Sequence, residues 1–92
     1  MKTEICLKQV VAHVATALLP IAVLRNSFFV NDVAPDVQLA SDETVVASAI
    51  KKLLLEEVLH THDACIRISA STEKGTPGLM VHKKGPFALP LT

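Results

Sequence analysis

At 92 residues the chain makes one domain, residues 1–92, near the lower end of what a single hydrophobic core supports. Nine basic residues balance nine acidic ones, and aromatic content is 3% with no Trp or Tyr. Neither a global field nor a stacking platform is present, which argues against a nucleic-acid role. Half of the residues are hydrophobic, more than a monomer of this length hides readily, so a homodimer is expected.

Residues 2–19 read as a first helix. Ile5, Val10, Val11, Val14, Leu18 and Ile21 form one stripe, with Lys2, Glu4, Lys8 and Gln9 toward water. Pro20 lacks the amide hydrogen that a continuing helix uses, so the helix is expected to end there. The apolar run 10–24 follows two lysines as a signal peptide does. Glu4 lies in the would-be basic region, however, His13 and Pro20 interrupt the apolar one, and no small-x-small cleavage site follows. The run is also shorter than the roughly 20 residues of a membrane span. A cytoplasmic location without membrane insertion is the expectation.

Arg25-Asn26-Ser27 is a turn signal, and residues 28–33 have the β-branched and aromatic content of a strand. Ala34-Pro35-Asp36 makes a second turn, and residues 37–40 alternate as a short half-buried strand. These two strands are expected to pair like a hairpin.

Residues 42–60 hold the strongest pattern in the chain. Val45, Val46, Ala49, Ile50, Leu53, Leu54 and Val58 recur at three- and four-residue steps with no Gly or Pro inside. Ser41 or Asp42 can cap the free amides at the start of this helix, where acidic residues suit the helix dipole. After a break at residues 61–63, residues 64–71 alternate, with Ile66, Ile68 and Ala70 on one face and Cys65, Arg67 and Ser69 on the other. Residues 73–78 are dense in turn formers, and residues 79–82 resume as an antiparallel strand. Phe87, Leu89 and Leu91 in the tail 87–92 fit an extended edge strand or a loose end. The order is α-β-β-α-β-β, an α/β (α+β) two-layer sandwich with two helices packed on one face of a small mixed or antiparallel sheet. Cys6 and Cys65, far apart within apolar patterns, read as buried reduced thiols of a cytosolic protein, with a disulfide as the alternative. Cys65, on the Arg67 side of its strand, is expected to be less buried than composition alone suggests.

The string Asp42, then Lys52-Leu53-Leu54-Leu55-Glu56-Glu57-Val58-Leu59-His60-Thr61, is followed by Ile66-Arg67-Ile68-Ser69-Ala70 and by Val81-His82-Lys83-Lys84-Gly85-Pro86. From about residue 5 to residue 84 this resembles the amino-terminal half of the ATP-binding domain of sensor histidine kinases. That fold is shared with gyrase, the mismatch-repair ATPases and the heat-shock chaperone ATPases. In the family a strand pair leads to an Asp before a long helix, which ends in an Asn-centred motif. A strand, a hairpin and a second strand closing with Asp-x-Gly-x-Gly follow. The resemblance implies a cytoplasmic bacterial protein of two-component signalling.

The family's magnesium-binding Asn falls on Glu56, and the acidic or amide residue four before it on Lys52. The Asp that reads adenine falls on Lys83, the second Gly of its box on Phe87, and Gly85 alone keeps its type. The resemblance therefore implies a truncated, degenerate domain in which Lys52, Glu56, His60 and Gly85 are remnant ATP-site positions. No catalytic residue, no metal site and no bound cofactor are expected, with weak binding of ATP and magnesium as the alternative.

Lys52 and Glu56 are four apart and can also be a solvated ion pair, worth about 0.3–0.5 kcal/mol. His60, His62, Asp63 and Cys65 are zinc-ligand types within six positions, but a helix end and a strand start pull them apart. Cys65 and His62 lack a third orienting group for nucleophilic catalysis. Leu55 and Leu59, one turn apart toward the polar side of the long helix, suit association with a second copy or another signalling protein.

Overall fold

The computed structural model describes residues 3–73 and 76–84. The elements run β1 (Thr3–Cys6), α1 (Leu7–Ala17), α2 (Leu19–Leu24), β2 (Phe28–Asn31), β3 (Gln38–Ser41), α3 (Glu43–Leu59), β4 (Cys65–Glu73) and β5 (Thr76–Lys84). This is the mixed α/β class that the periodicities predict, with differences in detail.

The first difference lies at the start. Residues 3–6 are a strand, and the helix begins only at Leu7, because Ile5 fits a period of two as well as it fits a helical stripe. Ile5 is buried while Glu4 is exposed, and the backbone pairs antiparallel with β3 from Thr3↔Ser41 to Cys6↔Gln38. The amide of Leu7 then donates to the Val37 carbonyl at 3.2 Å, fixing where strand becomes helix.

The second difference concerns Pro20. α1 does stop before it, but the chain immediately enters α2 with Pro20 in the first turn. There the missing amide hydrogen has no intrahelical acceptor to lose, so proline favours the start of a helix.

The third difference is the strand pairing. β2 and β3 do not form the expected hairpin. β2 lies parallel to β4, from Phe28↔Cys65 to Asn31↔Ile68, and β3 joins β1 in a separate two-stranded sheet. A parallel neighbour requires a crossover, and α3 supplies it. The β2 end is pinned from the other side. Lys8 Nζ donates to the Val33 and Asn31 carbonyls at 2.8 and 3.2 Å, and Asn31 Nδ2 donates to the Lys8 carbonyl at 2.9 Å. β4 and β5 pair antiparallel from Cys65↔Lys84 to Glu73↔Thr76, so the described three-stranded sheet has the order β2-β4-β5.

These connections orient the helices. The start of α1 meets the end of β2, and α3 ends where β4 begins. Both helices therefore run antiparallel to the adjacent parallel strands, and alongside each other. Ile66 and Ile68 on β4 are fully buried beneath them with Leu54 and Val58 of α3 and Val11 of α1. Burying one such side chain contributes about 1.5–3 kcal/mol, so this layer contact is the main source of stability. On the opposite sheet face Phe28, Arg67, Met80 and His82 are exposed among the described residues.

α3 spans almost the predicted length. Asp42 is its N-cap, accepting from the Thr44 amide at 2.9 Å, and His60 is its C-cap. The buried line is Ile50, Leu54 and Val58, with Val46, Leu53 and Leu55 half-buried. Val45 and Ala49, expected on the inner face, point to solvent. Their positions lie well away from the Ile50–Leu54–Val58 line on a 3.6-residue helix. The predicted tail strand 87–92 lies outside the described residues.

Candidate functional site

Lys52, Glu56 and His60 recur at four-residue steps and form one exposed stripe on α3, on the side turned away from the core. Among the described residues Lys52 and Glu56 do not form the ion pair their spacing permits. The His60 ring is engaged locally: Nδ1 lies 2.8 Å from the Glu56 carbonyl oxygen, which also accepts the His60 amide at 3.3 Å. Ring and amide of the C-cap residue thus meet at one carbonyl oxygen of the last helical turn. The register Cys65↔Lys84 brings the end of β5 beside the start of β4, hence toward the C-terminal end of α3. Gly85 lies outside the described residues, so of the four positions that the resemblance singles out the structure describes Lys52, Glu56 and His60.

The run from His60 to Cys65 diverges. The His62 Nδ1 approaches Asp63 Oδ2 at 3.4 Å, and Cys65 enters β4 opposite Phe28. Among the described residues no group of three ligand-type side chains converges on a metal position. Cys6 and Cys65 are both free and half-buried rather than fully buried. Cys6 Sγ donates to the Pro35 carbonyl at 3.7 Å.

A connected polar constellation lies at the same end of α3, and it joins two stretches that the sequence shows only separately. Arg25 Nε donates to the Val58 carbonyl at 3.2 Å, and its Nη2 donates to the Leu59 carbonyl. The guanidinium thus lies over the last carbonyls of α3, where the helix dipole favours a cation. The Asp63 amide returns a hydrogen bond to the Arg25 carbonyl at 2.9 Å, and Asn26 Nδ2 donates to Asp63 Oδ1 at 2.6 Å. The amide of Asn26, and secondarily the His62 ring, hold the Asp63 carboxyl below its ordinary range. Asn26 and Asp63 both take the left-handed backbone conformation, with φ of 52° and 55°. Asn and Asp are the non-glycine residues that tolerate it best. Beneath them buried Ser27 donates to the Arg25 carbonyl at 3.1 Å and accepts from the Ala64 amide at 3.3 Å. This network clamps the end of α2 to the end of α3 and fixes where both parallel strands begin.

A second feature lies on the helical layer. Between α1 and the first half of α3 runs an open groove of about 430 Å³, with Val10, Val14, Ala17 and Ala47 giving it apolar walls and Gln9, His13, Glu43, Thr44, Ser48 and Lys51 a polar rim. Among the described residues no helix is long and apolar enough to cross a membrane. Compared with protein-family models, with curated proteins and with solved structures, the chain matches none.

Proposed function

We propose that the chain is a degenerate, non-catalytic relative of the histidine kinase ATP-binding domain that acts through protein–protein contact, in the first place with a second copy of itself. Three features support the ancestry. A strand leads directly into an Asp that caps the long helix, the helix is followed by an alternating strand and an antiparallel partner, and that partner ends beside the helix C-terminus. The chemistry of the stripe supports the loss of nucleotide function. A hard magnesium ion seeks oxygen ligands, and an exposed ammonium at Lys52 beside Glu56 repels it.

The observation that carries the contact reading is the apolar surface at one end of the helical layer. Val23 is 65% exposed, Leu24 85% and Leu59 47%, and the Arg25 hydrogen bonds to Val58 and Leu59 hold these side chains at the same end. Exposed apolar surface of this kind marks interaction sites. The free thiols Cys6 and Cys65 suit the reducing cytoplasm. Light scattering at micromolar protein tests self-association. A mass above that of one chain is expected, and a clean 9.9 kDa rejects it.

A further inference from the structure

This inference rests on the self-association reading and places the contact between copies on a second surface, away from the Val23–Leu24–Leu59 end. Residues 9–24, which make most of α1 and all of α2, contain no Asp, Glu, Lys or Arg. Depletion of charge is the compositional mark of an interface core. The groove between α1 and α3 lies along this uncharged face, and its charged rim residues, Glu43 and Lys51, both come from α3. Neither has an ion-pair partner among the described residues.

Any acid and base on one helix are exchanged by a two-fold axis through their midpoint, and here that midpoint is Ala47, itself a wall of the groove. Glu43 and Lys51 stand four residues to either side of Ala47, about 6 Å along the helix axis in each direction. A two-fold axis through Ala47, perpendicular to α3, carries Glu43 of one chain to the place facing Lys51 of the other, and does so twice. A self-complementary patch of this kind is what an isologous interface requires. An unrelated helix or a small amphipathic molecule would find the same apolar walls, but it would not by itself supply both charges at the matching separation.

We infer that the α1–α3 face docks onto a second copy of this chain, helical layer against helical layer. Glu43 of each protomer then pairs with the partner subunit's Lys51. The sheets lie outermost, and the uncharged surface of α1 closes over the groove.

Sedimentation velocity on the full chain tests this with E43K, K51E and the double variant E43K/K51E, each checked by circular dichroism for retained fold. Both side chains are exposed, so the reversals leave the core intact. Each single reversal places two like-charge contacts in the dimer, and we expect the dimer Kd to rise about tenfold or more. The double variant restores both contacts in swapped order and returns to within about threefold of the original chain. An equimolar mixture of E43K and K51E pairs as a heterodimer more tightly than either variant alone. A dimer indifferent to the single reversals overturns this interface and leaves the self-association reading standing. Weakening by the singles without recovery in the double variant or the mixture also overturns it. A single-chain mass at every concentration rejects the interface and self-association together.

Discussion

Replacing Arg25 by alanine removes the clamp on α3 while sparing the backbone contacts around it. The Arg25 carbonyl still accepts from the Asp63 amide and the Ser27 hydroxyl. What disappears is the guanidinium fork, with its bond to the Val58 carbonyl at 3.2 Å, its bond to the Leu59 carbonyl, and a positive charge at the helix C-terminus. A hydrogen bond from a charged donor contributes about 1.5–3 kcal/mol when protected and less when water competes. The charge–dipole contribution is about 0.3–1 kcal/mol. The Val58 contact is partly buried and the Leu59 contact is exposed, so the sum comes to about 2 kcal/mol. With a urea slope of about 1 kcal/mol per molar for a chain this small, the unfolding midpoint moves down by about 2 M. Arg25→Lys keeps the charge and loses the planar fork, so it recovers about half of that loss. A loss below about 0.5 kcal/mol in Arg25→Ala would refute the clamp. So would an Arg25→Lys variant no more stable than the alanine one.

Three further outcomes follow from the same geometry. Asp42→Ala removes the acceptor for the Thr44 amide, and chemical denaturation is expected to show a loss of about 1 kcal/mol. Leu54→Ala opens a cavity at a fully buried site between the helices and β4, and the same assay is expected to show a loss of about 2–5 kcal/mol. The depressed Asp63 pKa contributes stability that is present above its ordinary value of 3.8 and is lost as pH falls through the lower folded value. Asn26→Gly keeps the left-handed backbone accessible and removes the amide donor, so thermal melts between pH 6 and pH 2 should show a shallower acid decline than the unmodified chain. Equal slopes would assign the acid sensitivity elsewhere.

The parts legible in the sequence are those whose signal is local and long. α3 carries an apolar period through seventeen residues, with a capping carboxylate at one end and a histidine at the other, and its predicted limits differ from the observed ones by a single residue at each end. β4 alternates without interruption at Cys65-Ile66-Arg67-Ile68, so its buried face was legible too. The four residues of β1 were not, because Ile5 fits both periods and the choice is made by pairing with β3 some thirty-five residues away. For the same reason, the local turn at Ala34-Pro35-Asp36 suggests a hairpin that the parallel alignment of β2 on β4 overrides. Arg25 and Asn26 were visible as a turn signal, and Asp63 as part of a break in the helical period. Their meeting was not, since it depends on where two parallel strands begin. Of the positions that the resemblance singles out, the spacing of Lys52, Glu56 and His60 on one helical stripe was legible, whereas the capture of the His60 ring by the Glu56 carbonyl depends on the helix ending at Leu59.

On the proposed reading, the stripe Lys52–Glu56–His60 lacks the chemistry a nucleotide site needs. Isothermal titration of the full chain with ADP and magnesium addresses it most directly, with Glu56→Ala as control. No heat of binding is expected up to millimolar ADP, and no difference between the two proteins. Micromolar binding that disappears in Glu56→Ala would contradict it.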